Sequence, residues 1–196
     1  VRGVYINRAP SERLTLETAL TRYLSEVTPT KAASAAAREK SLSKPIIEEL
    51  GSYSLAAITA ELLSKYRDNR LNTNNRHGKK ISSNQVRLEL ALISHLFTIA
   101  MQEWGLGIAF NPVQTIRKPK IPQGRDRRLS IDEETRLLKE CKKLSNPMLY
   151  WIVSLALETG MRKNEINTLR RSQVDLQKRA ILLRSSETKT KQARMI

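Results

Sequence analysis

Leu155-Ala-Leu-Glu-Thr-Gly-Met-Arg-Lys-Asn-Glu-Ile-Asn-Thr-Leu-Arg-Arg171 decides how this sequence is read. A helix running into Thr159 is expected to stop at Gly160, because glycine takes the left-handed backbone that closes many helices at little cost. A second helix is expected to begin at Met161-Arg162, with Arg162, Ile166 and Leu169 on one face and Glu165 beside them. A guanidinium on that otherwise apolar face needs a partner, since an unpaired buried charge is strongly unfavourable. Glu165 can pair it, and a bound phosphate can be the second partner. A structural hairpin with an internal ion pair explains Arg-x-x-Glu as well, so the flanking residues have to decide.

Upstream, Ser130-Ile-Asp-Glu133 reads as a capping box opening a helix to about Lys143. Asn146-Pro147 starts the next helix, with proline in its first turn. Met148 to Leu157 is nearly all apolar, which predicts a central helix with Tyr150 in the core. Downstream, Val174 to Arg179 marks a turn, Ala180 to Arg184 a strand and Gln192 to Ile196 its return. Ser186 to Lys191 is the turn between them, carrying Lys189 and Lys191.

The N-terminal half is helical in period. Residues 1–13 read as a flexible basic arm. A first helix places Leu16, Leu20, Tyr23 and Leu24 inward and ends at Thr28-Pro29. Lys31 to Glu39 is rich in Ala and Ser, and Pro45 is expected to interrupt its helix. Arg38, Lys40 and Lys44 recur there, either as a solvated face or as a helix laid along a groove. Another helix covers about Thr59 to Leu71, with Leu62, Leu63 and Tyr66 inward, followed by a polar, mobile loop from Asn72 to Lys80 in which His77 is solvated. Ser82 and Gln85 form a capping box for a long helix to Trp104. It is apolar on two faces (Val86, Leu90, Ile93, Phe97, Ala100 and Trp104; Leu88, Leu92, Leu96 and Ile99), which makes it the centre of a bundle. Its polar stripe holds Asn84, Arg87 and a solvated His95; Asn84 and Arg87, near the positive helix end, are candidates to meet a phosphate or a base edge. Arg117-Lys-Pro-Lys-Ile-Pro-Gln-Gly-Arg-Asp-Arg-Arg128 is a basic linker suited to tracking a charged backbone.

Lys and Arg number 35 against 19 Asp and Glu, a net charge of +16, which points to phosphate backbones. No basic amphipathic helix with an aromatic face favours a membrane. The single Cys141 excludes an internal disulfide and fits a reducing compartment, and one Cys with two His offers too few ligands for zinc.

Thr159-Gly-Met-Arg-x-x-Glu-Ile166, then Leu169-Arg-x-x-x-Val-Asp-Leu176, then a strand and a Lys-bearing turn, resembles the tyrosine recombinase (phage integrase) family. Val86-Arg-Leu-Glu-Leu-Ala-Leu92, Asn111-Pro-Val113, Arg117-Lys-Pro-Lys120 and Gly124-Arg-Asp-Arg-Arg-Leu129 look like its shufflon-type invertases and prophage integrases. The resemblance implies a mainly α chain. A SAM-like helical core-binding domain (14–113) is followed by a basic linker (114–128). The start of an α+β catalytic domain with a small antiparallel sheet (129–196) comes last. It further implies a clamp around double-stranded DNA and assembly on paired sites, as a tetramer in the full-length protein, in the cytoplasm of a bacterium at its nucleoid.

In that family the residue matching Arg162 clamps the scissile phosphate, the hairpin lysine, here Lys189, protonates the leaving oxygen, and Glu165 supports them. No cofactor, metal or membrane is implied. Candidate DNA contacts are Arg38, Lys40, Lys44, Asn84, Arg87, Arg117, Lys118, Lys120, Arg125, Arg127, Arg128 and Lys191. The family's His-x-x-Arg motif, a further His or Trp, and the tyrosine nucleophile follow the hairpin. This sequence ends at Ile196, and none of Tyr5, Tyr23, Tyr53, Tyr66 or Tyr150 lies in the matching region. The chain is therefore expected to be a fragment that binds DNA and does not cleave it alone. The alternative is a non-catalytic remnant that occupies sites or regulates excision.

Overall fold

A computed structural model describes residues 9–124, 126–188, 190 and 192–196. The chain divides into two compact units, Val1–Gln123 and Gly124–Ile196, each with its own apolar cluster. No helix among the described residues is long and apolar enough to cross a membrane.

Unit 1 is a bundle of α1 (Ala9–Arg13), α2 (Leu16–Glu26), α3 (Ala33–Leu50), α4 (Ala60–Asn72) and α5 (Ser83–Gln102). The expected flexible arm over 1–13 is corrected at its far end, since α1 is helical and Ser11 is buried. The cause is backbone pairing next to it: Leu55 N–H donates to the Leu14 carbonyl, and Leu16 N–H donates to that of Tyr53. The remainder of the arm, 1–8, lies outside the described residues. The Thr15 hydroxyl accepts the Thr18 N–H to start α2, which buries Leu16, Ala19, Leu20 and Tyr23.

Pro45 does not interrupt α3, which runs unbroken for 18 residues. An interior proline removes one ladder bond and costs about 3 kcal/mol. Leu42, Ile46 and Leu50, on both sides of it, are buried. Each contributes roughly 1.5–3 kcal/mol, so the continuous apolar face outweighs the local penalty.

α5 packs against α2, α3 and α4. Val86, Leu90, Ile93, Phe97 and Ala100 are buried on one face, and Leu92, Leu96 and Ile99 on the other. Only half of its capping box forms. The Ser82 hydroxyl accepts the Gln85 N–H, but the Gln85 side chain donates to Glu89 instead of reaching back. His95 is exposed, as expected, yet its Nδ1 lies 2.6 Å from the Tyr23 hydroxyl.

Beyond α5, Asn111 ties the chain back by donating to the Ser94 carbonyl and accepting the Val113 N–H. Val113 and Ile116 are buried. Arg67 Nη1 donates to the Arg117 carbonyl at 2.9 Å and Arg87 Nη1 to that of Pro119 at 3.1 Å. The stretch expected to be a linker from residue 114 is thus held to unit 1 as far as Pro119.

Unit 2 comprises α6 (Ile131–Lys143), α7 (Met148–Thr159), α8 (Lys163–Asn167) and the strands β1 (Val174–Asp175), β2 (Ala180–Leu183) and β3 (Arg194–Met195). The strands form one antiparallel sheet in the order β1-β2-β3, with Val174 opposite Ile181 and Leu182 opposite Met195. The Ser130/Glu133 capping box is complete. β1 is a strand where the sequence predicts only a turn; the turn follows it, closed by Lys178 N–H on the Asp175 carboxylate.

α7 corrects the expectation of a central helix. None of its residues is fully buried, and Trp151 is 63% exposed. The cause is supply. Among the described residues, Met161, Ile166 and Leu183 form a small buried cluster against the Ile152, Leu155 and Ala156 side of the helix, and α6 packs beside it, while Met148, Trp151 and Leu157 stay exposed. Tyr150 is correspondingly half-buried, edge-on to Trp151 and beneath the Lys142 ammonium.

Candidate functional site

Gly160 ends α7 at φ 63°, in the left-handed conformation expected of it. The Thr159 hydroxyl accepts the Met161 N–H, and Met161 drops into the cluster beneath. The next residue departs from expectation. Arg162 is extended, at φ −73° and ψ 149°, and stands before α8 rather than within it. α8 has only five residues and ends before Leu169. The local chemistry explains this. The Glu165 carboxylate reaches back to accept the Arg162 N–H at 2.8 Å, half of a capping box, and that bond requires an extended residue before the helix.

The buried charge is also the opposite of the one expected. Glu165 is 2% exposed, whereas the Arg162 side chain is 48% exposed. Arg162 Nη1 donates to Glu165 Oε1 at 3.1 Å, and Arg194 Nη2, from β3, donates to Oε2 at 2.6 Å. Three donors therefore converge on one carboxylate. The backbone N–H of Arg162 is the main cause that holds the Glu165 carboxyl below its ordinary value of 4.5, aided by the two guanidiniums. With Glu165 ionised between two permanent cations, the cluster carries one net positive charge. Among the described residues, Nε and Nη2 of Arg162 have no hydrogen-bond partner, and the side chain is half in solvent. This arrangement is equipped to hold an oxyanion: a fixed, permanently charged fork with donors left over.

Lys189 and Lys191 lie outside the described residues. Described residues on either side of them are hydrogen-bonded. Thr188 is buried, its hydroxyl donating to the Gln192 carbonyl and accepting the Gln192 N–H. The Gln173 amide donates to the Leu182 carbonyl and to Glu187, which ties Glu187 to the residue just before β1.

The other candidates are distributed over both units. On α3, Lys40 and Lys44 share a face one turn apart, while Arg38, two residues before Lys40, falls about 200° round the helix. All three are exposed. Asn84 is exposed in the first turn of α5; Arg87 is half-buried and bonded to the Pro119 carbonyl, as above. Arg117, Lys118, Lys120, Arg127 and Arg128 are exposed, Arg127 pairing with Glu133. Arg125 lies outside the described residues. No group of three or more His, Cys, Asp or Glu able to hold a metal occurs among the described residues.

Two constellations are not evident from the sequence reading. Arg194 is one; its only signal is its place two residues before Ile196, which packs against the unit 2 cluster. The other is Glu89, wholly buried, which accepts the Tyr66 hydroxyl and two Arg70 donors from α4. Its signal is legible: Glu89 is three residues past Val86 and four before Ile93, and Tyr66 and Arg70 are one turn apart.

Residues 127–196 match the phage integrase family. Over 120 residues, 61% of this chain and 31% of the relative, the chain is 52% identical to the shufflon-specific DNA recombinase of Escherichia coli. Over 118 residues, 59% of this chain and 35% of the relative, it is 30% identical to the integrase of Escherichia phage 186. The matched region thus spans about a third of the length of these curated relatives. Among solved structures, a lambda integrase dimer bound to a COC′ core site matches with a TM-score of 0.73 at 21% identity, over 93% of this chain and 48% of that one. The Tn1549 transposon integrase in complex with circular intermediate DNA matches at 0.67 and 16% identity, over 93% and 59%. At these identities the structural likeness establishes the fold.

Proposed function

We propose that this chain, whose residues 127–196 match the phage integrase family, belongs to a site-specific DNA recombinase that cuts and rejoins strands through a phosphotyrosine. Unit 1 is its DNA-gripping core-binding domain, the basic stretch that follows meets the duplex backbone, and unit 2 is the first part of the catalytic domain. Double-stranded DNA is the substrate, and several protomers assemble on paired sites.

The chemistry follows from what phosphodiester exchange demands. A hydroxyl attacks phosphorus in line, cations hold the non-bridging oxygens as charge builds, and an acid protonates the departing 5′ oxygen. Arg162 holds the non-bridging oxygens, because its fork is charged at every useful pH and is oriented by Glu165 from below. Lys189 protonates the departing oxygen, a cationic site easing its proton away. Tyr150, the one tyrosine in unit 2, packs with its ring against Trp151 and Lys142 and is assigned a structural part in this reading. The nucleophile is a tyrosine elsewhere in the parent protein, so the 196 residues alone bind duplex DNA and leave it uncut.

The observation that carries this reading is the half-exposed Arg162 guanidinium fixed on a buried carboxylate within the family domain. The test uses the longer protein that carries this chain, mixed with a site-bearing duplex nicked to trap the intermediate. A 3′-phosphotyrosyl link is expected with the wild type. Arg162→Ala is expected to abolish the link while duplex binding persists; an Arg162→Ala protein that links at the wild-type rate overturns the assignment.

A further inference from the structure

The segment Asn72–Lys80 between α4 and α5 takes no part in the site above, and its construction calls for a role. The sequence predicts a mobile polar loop there. Instead it is a closed hairpin. Asn74 bridges Lys80, Asn75 N–H donates to the Lys79 carbonyl at 2.7 Å, and Ile81 N–H to that of Thr73 at 3.0 Å. At the tip, the Asn75 side-chain oxygen accepts both the His77 and the Lys79 N–H, and Gly78 supplies the left-handed residue at φ 72°.

The base is fixed just as firmly. Arg70, two residues before the hairpin, makes two bonds to Glu89, which is wholly buried and also holds Tyr66 and Gln85. This network staples the end of α4 to the first turns of α5. Burying such a charge adds little net stability over apolar packing. What it does supply here is a fixed direction for the segment that leaves it.

The hairpin's chemistry selects its partner. Every residue from 72 to 80 is exposed, and the segment contains only amides, hydroxyl, imidazole, glycine and three cations: Arg76, Lys79 and Lys80. None of the three pairs with a carboxylate among the described residues; Arg76 touches His77, and Lys80 touches the Asn72 amide. A bilayer or an ordinary protein partner needs an apolar anchor, and there is none. A duplex needs unpaired cations for phosphates and amides for base edges, on a support whose ordering cost has already been met.

We infer that the Asn72–Lys80 hairpin is a DNA-contacting finger, its tip entering a groove of duplex DNA while Arg76, Lys79 and Lys80 neutralise phosphates beside it. This rests on the reading of unit 1 as DNA-binding.

The test is equilibrium binding of the 196-residue chain to labelled duplex DNA across a salt series. For the triple variant Arg76→Gln, Lys79→Gln, Lys80→Gln, the slope of log affinity against log salt is expected to fall in magnitude by roughly 2–3, at about 0.9 per phosphate lost. A charge-matched triple on α6 (Arg136→Gln, Lys139→Gln, Lys143→Gln) controls for net charge and is expected to change the slope by less than one such contact. Asn75→Ala keeps every charge but removes the two bonds that set the tip; binding is expected to weaken severalfold. Equal slopes for the two triples, or an unchanged Asn75→Ala affinity, overturn the inference. An equal loss for the hairpin triple on duplex RNA overturns it as well, because a general polyanion contact is not a groove contact. A wild-type chain that fails to bind duplex DNA at all defeats the broader reading instead.

Discussion

Replacing Arg162 and Arg194 together by alanine should destabilise unit 2 more than replacing Glu165 by glutamine, and should flatten the pH dependence. The double replacement strands a carboxylate that is 2% exposed with a single backbone N–H where it had three donors. Breaking a buried pair from one side costs about 3–5 kcal/mol. The two guanidiniums are 48% and 40% exposed, so water already screens part of that interaction, and about 2–3 kcal/mol is the expected loss. Glu165→Gln keeps the shape and one acceptor for the Arg162 N–H. It forfeits only charge assistance, worth about 1–2 kcal/mol.

In the native protein the Glu165 carboxyl is held below 4.5. Its contribution is therefore complete above that value and is lost as pH falls through the lower folded value. Without its two guanidiniums the Arg162 backbone N–H still works against burial, so the folded value moves back towards the ordinary one. The double variant's stability should therefore fall less steeply than the wild type's as pH drops below 4.5. Urea unfolding followed at Trp151, in a Trp104→Phe background, reads this directly. A double variant that loses less than about 1 kcal/mol and keeps the wild-type slope with pH refutes the reasoning.

Arg70→Ala leaves Glu89 uncompensated in the centre of unit 1 and should cost about 3–5 kcal/mol in thermal unfolding, while Arg70→Met with Glu89→Leu should recover most of it. Pro45→Ala restores an N–H to α3 in place of the interior penalty. Allowing for the freer unfolded chain, it should stabilise unit 1 by about 1–2 kcal/mol in urea titration; a destabilisation would mean that the proline ring packs better than its half-buried position suggests.

Much of this architecture can be read from one dimension because it is written in short-range chemistry. Gly160, the Ser130/Glu133 box and the two apolar faces of α5 each depend on residues within about two turns of one another. The rest depends on residues far apart in the chain. Arg162 and Arg194 meet only through Glu165, and no local pattern says that the acid, not the guanidinium, goes inside. The capping bond that draws Arg162 out of α8 has the same origin. Pro45 carries a local penalty, which the buried residues on both sides override. α7 reads as central from its composition, but burial needs partners, and Met148, Trp151 and Leu157 find none among the described residues.

Arg162, steadied by Glu165, is proposed above to neutralise charge on the scissile phosphate, and everything else in the mechanism depends on that contact. The most direct measurement compares Arg162→Ala with wild type, in the longer protein, on a natural phosphate and on a scissile methylphosphonate that lacks the charged oxygen. Arg162→Ala is expected to slow strand cleavage by about 10²–10³ on the phosphate and far less on the neutral methylphosphonate. An equal deficit on both substrates, or none on either, contradicts that role.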